Sequence, residues 1–231
     1  MIFNGIDLSV YFNVNPTRAI MPSVNIEIID VPGKQGAIIS SKKFEPLSIP
    51  VKVRLKAEVK DDISKLRRIL AKALYTDEPA KLILPDEPDL YYMAVLRGSS
   101  ELDNLWYTGS ANLEFFCPDP IAFGATRKAE ASANGFHVGG SWSTLPIITA
   151  KPAAGSYFRI TNYYTGEFIQ LTRAFNGTET VVIDCAKMHT TVNGMAAQVI
   201  PTSDYFELEP GKNRLTRSSG NATIQWQERW I

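Results

Sequence analysis

The longest regular pattern in the chain is a strict alternation of apolar and polar positions between Leu47 and Val59. Every odd position in this segment is apolar, and the even positions carry Ser, Pro, Lys, Arg and Glu side chains. A period of two is typical of a β-strand with one buried and one solvated face. At about 3.3 Å per residue the segment would reach about 43 Å, which predicts a strand that projects beyond its sheet. Because Pro50 has no amide proton, we expect that section of the strand to lie at a sheet edge or a bulge.

The same part of the chain has the pattern of long hairpins. Apolar residues alternate from Val24 to Ile28 and lead into the turn residues Pro32 and Gly33, which predicts a hairpin that returns through residues 37–43. Residues 81–84 and 90–96 flank a turn rich in Pro and Asp and predict a second hairpin. Residues 105–116 are predicted to add one more pair of strand segments.

A helical period occurs in one place, between Asp62 and Tyr75. Asp61 is the expected N-cap, and the other face of this predicted helix is cationic. Its apolar positions repeat at the spacing that places them on one stripe of a helix, namely Ile63, Leu66, Ile69, Leu70, Ala73 and Leu74.

The character of the sequence changes after residue 124. Residues 125–140 are rich in Ala, Gly, Ser and Asn and have little periodicity, as expected of a seam between domains. Beyond them, short apolar runs are separated by turn pairs such as Asn176-Gly177 and Asn193-Gly194. The spacing predicts an all-β sandwich, with a type I′ hairpin at Asn193-Gly194. We therefore expect two domains, 1–124 with long hairpins and one helix, and 125–231.

Composition excludes several classes of protein. The 231 residues are 45% hydrophobic and 21% charged, unlike a disordered chain. The 24 basic and 24 acidic residues balance, so a nucleic-acid or anionic-membrane binder with a long-range field is not expected. No apolar run is long enough to span a membrane. We expect synthesis in a cytoplasm, with the chain kept there or assembled from there into something larger.

Residues suited to catalysis or metal binding are few. The chain has two histidines, His137 and His189, and neither lies in a known nucleophile motif or an HExxH sequence. Cys117 and Cys185 lack CxxC spacing and are expected to be free, buried thiols. Acids between Asp77 and Asp103 could hide a glycosidase pair, but acids beside Pro are typical of turns. We predict no catalytic residue, no metal and no cofactor.

Charge is segregated within the first domain. Basic residues are concentrated in residues 51–72 and acidic residues in 77–103. Such a surface can dock head to tail on a copy of itself, and Lys52, Arg54 and Lys56 are the predicted contacts. The alternative is that both stretches are simply solvated faces.

Aromatic residues are dense in the second domain, and most are expected to be core. Tyr163 and Tyr164 lie beside a turn and are the candidate glycan contacts, because sugar rings stack on aromatic side chains.

Three segments resemble siphovirus distal tail proteins, a family of phage tail components. They are residues 42–50, residues 74–82, and Cys117-Pro118-Asp119-Pro120 with Phe123-Gly124; residues 105–107 are also similar. Residues 192–194, 208–213 and 226–231 resemble the galectin-like domain of the same family less closely.

The resemblance implies a structural virion protein with no catalytic residues. The first domain would form a hexameric ring that continues the tail tube, and a galectin-like β-sandwich would decorate it outside. The implied partners are further copies of the chain, the tail tube protein, and a tail-associated lysin, tail fibre or receptor-binding protein, with DNA only as passing cargo. The implied place is the virion tail tip, encoded by a phage or prophage. The alternatives are a carbohydrate-binding adhesion module that recognises cell-wall glycan, and an enzyme.

Overall fold

A computed structural model describes residues 1–56, 63–98 and 110–231, and the side chains of residues 63–67 are not included in that description. The chain divides into two compact units. The first comprises Met1–Ala122 together with Ile231, and the second comprises Phe123–Trp230.

The first unit is mostly β with one helix. Its elements in chain order are β1 (Ile2–Phe3), β2 (Ile6–Asp7), a 3-10 turn (Leu8–Val10), β3 (Phe12–Pro16), β4 (Val24–Asp30), β5 (Ala37–Phe44), β6 (Leu47–Leu55), α1 (Ile63–Leu74), β7 (Ala80–Ile83), β8 (Tyr92–Arg97) and β9 (Ser110–Cys117). Seven of these strands form one sheet in the order β2-β1-β7-β8-β9-β6-β3. The two predicted hairpins are observed as β4–β5 and β7–β8.

The alternating segment forms β6, and its section at Pro50 lies beyond the pairing with β3, locally at an edge as predicted, although the strand as a whole is interior. Leu47–Leu55 lies between β9 and β3, and its apolar positions Ile49, Val51 and Val53 are buried. Pro50 fits this interior strand because β3 ends at Pro16, opposite Val51. The Pro50 carbonyl accepts a hydrogen bond from Thr17, just past that end, where a regular ladder no longer needs a donor from residue 50. The predicted continuation through residues 57–59 lies outside the described residues.

The core of the first unit lies under the apolar face of the sheet. Phe3, Phe12 and Phe115 are fully buried there, and the rings of Phe3 and Phe115 meet edge to face at 4.9 Å between centroids. The helix contributes Leu70, Ala73 and Leu74 to the buried set. Ile69 was predicted to share this buried stripe, but its side chain is 44% exposed. The predicted N-cap Asp61 lies outside the described residues, as do residues 105–109.

The second unit is all-β within the residues that the structure describes. Its strands are β10 (Ala122–Glu130), β11 (Phe136–Val138), β12 (Ile147–Lys151), β13 (Gly155–Asn162), β14 (Phe168–Phe175), β15 (Val181–Asp184), β16 (His189–Val192), β17 (Met195–Ala196), β18 (Gly211–Asn213), β19 (Leu215–Arg217) and β20 (Asn221–Trp230). The expectation of an irregular seam at 125–140 is wrong in two places, because β10 continues to Glu130 as a neighbour of β20 and Phe136–Val138 forms β11. β10 has small and charged residues at positions that sequence periodicity does not distinguish from a linker.

Three sheets surround the core of the second unit. Their orders are β10-β20-β12-β15-β16-β17, β14-β13-β19 and β11-β18. Large apolar side chains from the two larger sheets, including Phe158, Ile160, Ile183 and Ile224, are fully buried. This is the sheet-on-sheet packing expected of a sandwich.

The turn between β16 and β17 is built as predicted. Asn193 and Gly194 both have positive φ, 50° and 80°. Positive φ at both central residues is what a type I′ hairpin requires. No helix among the described residues is long and apolar enough to cross a bilayer.

Candidate functional site

The residues most suited to catalysis are not assembled into a site. His137 and His189 are exposed, on β11 and β16. Cys117 and Cys185 are free and buried, and burial raises the pKa of each thiol to about 12, so neither is a nucleophile near neutral pH. Among the described residues no group of three His, Cys, Asp or Glu side chains could hold a metal ion. The candidate functional features are therefore surfaces.

The clearest of these surfaces is the antiparallel β4–β5 ribbon, which forms a two-stranded sheet of its own. Ile28 pairs with Ile39, and the next pair, Ile29 with Ile38, points to the opposite face. These four side chains are between 43% and 64% exposed. The ribbon thus presents apolar side chains to solvent on both faces.

The ribbon has a firm root. The Glu45 amide donates to the Ser23 carbonyl at 2.8 Å, which closes the base of the hairpin. In the segment that leads into β4, the Arg18 guanidinium donates to Glu87 at 2.6 Å and to Asp86 at 2.8 Å. A third bond, to the Tyr92 hydroxyl, is 3.2 Å long. Hydrogen bonding to Glu87 raises the pKa of Arg18 despite the opposing effect of burial. Arg18 therefore fastens the ribbon's root to the β7–β8 turn.

The predicted basic contacts lie on the sheet that carries the ribbon. Lys52 and Arg54 are exposed on the polar face of β6, opposite Asn15 and Asn13 of β3. Lys56 follows the end of β6 and is half-buried, with its amide bonded to the Tyr11 carbonyl. The structure thus places Lys52 and Arg54 in one row, with Lys56 just beyond it.

The acidic stretch has fewer carboxylates available for contact with another molecule than its sequence suggests. Asp86 and Glu87 are already paired with Arg18 inside the same chain. Glu101, Asp103 and Lys60 lie outside the described residues. The charges that remain for an intermolecular contact are therefore fewer than the sequence pattern indicates, and the apolar ribbon becomes the stronger candidate.

Tyr163 and Tyr164 form a surface cluster in the turn after β13. They are 57% and 55% exposed, and their rings meet edge to face at 5.6 Å between centroids. The Arg214 guanidinium lies 4.2 Å from the centre of the Tyr163 ring and covers one face of it. Glycan contact by these tyrosines stays a prediction. Arg214 already covers one face of the Tyr163 ring.

Sequence reasoning missed two features that the structure brings forward. The ribbon isoleucines carried a usable signal, because Ile28-Ile29 and Ile38-Ile39 are consecutive apolar pairs, and consecutive strand residues point to opposite faces. The Arg18 contacts had no such signal in the sequence, because nothing there relates residue 18 to residues 86 and 87.

Two family models together match most of the chain. The phage tail protein RIFT-related domain matches residues 6–117, and the siphovirus-type tail component C-terminal domain matches residues 139–230.

Individual relatives agree with the family models. The distal tail protein of Bacillus phage SPP1 is 23% identical over 244 residues, which span all of this chain and 95% of the relative. The crystal structure of SPP1 Dit, presented as a paradigm of the hub adsorption apparatus in phages that infect Gram-positive bacteria, superposes with a TM-score of 0.78 at 17% identity. The match covers 100% of this chain and 98% of the SPP1 Dit chain. The likeness confirms the predicted fold class, mostly β with a single helix.

Proposed function

This chain belongs to the siphovirus distal tail protein family, and from that premise we propose that it is a structural hub of the tail tip whose first unit closes into a ring of identical subunits. Six copies would form the ring, and the tail tube protein would contact one side of it. A tail-associated lysin, tail fibre or receptor-binding protein would contact the other side. DNA would pass through the ring without being bound, and no catalytic activity is assigned.

The single observation that carries the ring proposal is the exposure of isoleucines on both faces of the β4–β5 ribbon. Burying an isoleucine side chain contributes about 1.5–3 kcal/mol relative to leaving it in water. A contiguous set of exposed isoleucines therefore favours a protein contact. An isolated two-stranded ribbon is also marginally stable in water, so it gains stability from whatever covers it.

A second copy of this chain is the occupant we propose. The ribbon belongs to the same unit as the basic row at Lys52 and Arg54, so one subunit offers an apolar ribbon and a charged sheet face. A ribbon that docks on a different surface of the next copy makes a head-to-tail contact. Repeated contacts of this kind close into a ring when the rotation between neighbouring copies divides a full turn. The basic row would fix the register of that contact more than its strength.

The test is to purify the full chain and determine its mass by native mass spectrometry over a range of concentrations, with class averages by electron microscopy. We expect a ring of identical subunits, formed by the chain alone or on addition of the neighbouring tail proteins. The variant that combines Ile28→Glu with Ile39→Glu should stay folded and lose the ring, because it places two carboxylates in the apolar contact.

The matched control is Met195→Glu, which changes an apolar side chain that is 73% exposed on β17 of the second unit. It should leave the ring unchanged. Equal loss of assembly in both variants would contradict the ribbon's role. Absence of any cyclic arrangement in images of intact virions would contradict the hub itself.

A further inference from the structure

A cleft on the second unit has the composition of an anion site. It is open to solvent, has a volume of about 330 Å³ and is lined by residues of the segment after β10 and of the β18–β20 region: Ser132, Ala133, Arg214, Leu215, Thr216, Arg217, Ser219 and Gly220. Two arginines and three hydroxyl-bearing residues are among these lining residues, and no Asp or Glu is. The cleft is independent of the β4–β5 ribbon, which belongs to the other unit.

Arg214 is held in place before any anion arrives. Its guanidinium lies over the Tyr163 ring, and the Tyr163 amide donates to the Arg214 carbonyl at 2.9 Å. Stacking on an aromatic face restricts a side chain that otherwise has many rotamers. Tyr163 is thus a positioning residue for this cation, and the cleft loses less entropy on binding.

The opposite wall of the cleft is also fixed. Arg217 donates from Nε to the Gly220 carbonyl at 2.5 Å and from Nη1 to the Ala131 carbonyl. Gly220 has φ of +65°, and a Cβ atom there would lie 1.9 Å from the Lys151 carbonyl oxygen, so the backbone packs too closely for any other residue. Arg217 and Gly220 are therefore held by several close backbone contacts.

Two polar atoms of the lining residues lack partners. Arg214 Nε and Ser219 Oγ are buried and make no hydrogen bond. A buried polar group without a partner destabilises a protein, and most such groups are paired. A bound acceptor that reaches either atom would recover that loss.

We propose that this cleft binds a phosphate group carried on a polyol. Guanidinium groups match the geometry and charge of phosphate oxygens, and the absence of a lining carboxylate removes the repulsion that would oppose an anion. Ser132, Thr216 and Ser219 supply hydroxyls that can exchange hydrogen bonds with the hydroxyls of the polyol.

A phosphorylated polyol fits this cleft better than a nucleic acid does. Proteins that bind a nucleic-acid backbone have a groove with many cationic side chains along its length. The lining of this cleft has two, and the formal net charge of the chain is zero. The volume is suited to one phosphate and its neighbouring hydroxyl-bearing carbons. We therefore assign the cleft to a phosphodiester-linked polyol, with glycerol phosphate as the simplest member of the class.

The experiment titrates the full chain by isothermal titration calorimetry with five probes: inorganic phosphate, glycerol 3-phosphate, a glycerol phosphate oligomer, glycerol, and a single-stranded oligonucleotide of matched charge. We expect the glycerol phosphate oligomer to bind most tightly and glycerol not to bind. Arg214→Gln should weaken binding of the oligomer by at least about tenfold, and Ser219→Ala by about threefold to fivefold.

The matched control is Arg173→Gln, which removes an exposed guanidinium of the same unit outside the cleft, 5.7 Å from the Phe175 ring. It should change the dissociation constant by less than twofold, and all variants should keep the wild-type unfolding midpoint. The inference is overturned if no phosphate probe binds, if Arg173→Gln weakens binding as much as Arg214→Gln, or if only free phosphate binds. Tighter binding of the oligonucleotide than of the glycerol phosphate oligomer would overturn the choice of a polyol.

Discussion

Isoleucine has opposite surroundings in the sandwich core of the second unit and on the ribbon of the first. In the second unit Ile160, Ile169 and Ile183 are fully buried between sheets, whereas Ile28 and Ile39 on the ribbon of the first unit are 64% and 61% exposed. The chemistry of the side chain is the same, so the difference lies in what each strand has to pack against. A strand in a sandwich has a second sheet within reach, and a two-stranded ribbon has none.

This contrast separates folding from assembly. The second unit covers its isoleucines with its own sheets, so its stability comes from within the unit. The ribbon leaves its isoleucines in water, and their burial is available only to another molecule. Substitutions of isoleucine should therefore affect stability in the sandwich core and association on the ribbon.

The largest effect expected from this contrast is in the sandwich core. Phe158→Ala removes a fully buried ring and should lower the free energy of unfolding of the second unit by about 3–5 kcal/mol. Ile28→Ala, at an exposed ribbon position, should lower the unfolding free energy of the monomer by less than about 0.5 kcal/mol. Urea titration followed by Trp fluorescence and circular dichroism measures both. A loss above about 2 kcal/mol for Ile28→Ala would mean that the ribbon is packed within its own chain.

A smaller effect is expected at the ribbon's root. Arg18→Met breaks the bonds to Asp86 and Glu87 and should destabilise the first unit by about 1–3 kcal/mol, since hydrogen bonds between charged groups are the stronger ones. Hydrogen exchange of the β4 amides should accelerate. Arg54→Met is the control, because Arg54 is exposed on the sheet and should be nearly neutral for stability. Unchanged exchange in Arg18→Met would show that the root is held by its backbone bonds alone.

Much of the first unit could be predicted because its patterns are local. The alternation at Leu47–Leu55 identified a strand with one buried face, and the turn at Pro32-Gly33 identified the ribbon. What the patterns could not supply was the neighbour of each strand. Pro50 indicated an edge, and only the position where β3 ends explains how an interior strand tolerates it.

The candidate sites show the same division. Positive φ at Asn193 and Gly194 follows from a two-residue signal, whereas the cleft joins Ser132 to Arg214 and Ser219, residues that are distant in sequence. Tyr163 was identified from its place beside a turn, but its contact with Arg214 depends on how β13 pairs with β19. Long-range pairing of this kind has no local signal in one sequence.

The charge row offers a weaker test of the contrast than the isoleucines do. Reversing Lys52, Arg54 and Lys56 to Glu should leave the monomer folded and weaken association by about tenfold, because exposed ion pairs contribute about 0.5 kcal/mol each in the middle of their usual range. The defect should shrink in high salt, since exposed charges are screened. Light scattering at low and high ionic strength measures both. An unchanged mass at low salt would remove the electrostatic part of the proposed contact.

The smallest expected effect is confined to the second unit and depends on pH. Burial acts to raise the pKa of Glu179, but hydrogen bonds from backbone amides, including those of Asn176, Gly177 and Thr178, outweigh it, so the pKa lies below its usual value. A carboxylate with a depressed pKa stabilises the fold above its unfolded pKa of about 4.3, and that stability is lost as the pH falls through the folded value. Glu179→Gln should therefore be less stable than wild type at pH 7, and the difference between the two proteins should shrink as the pH is lowered toward 3. Urea titrations of both proteins between those limits measure the difference, and a gap that stays constant with pH would contradict this role for the carboxylate.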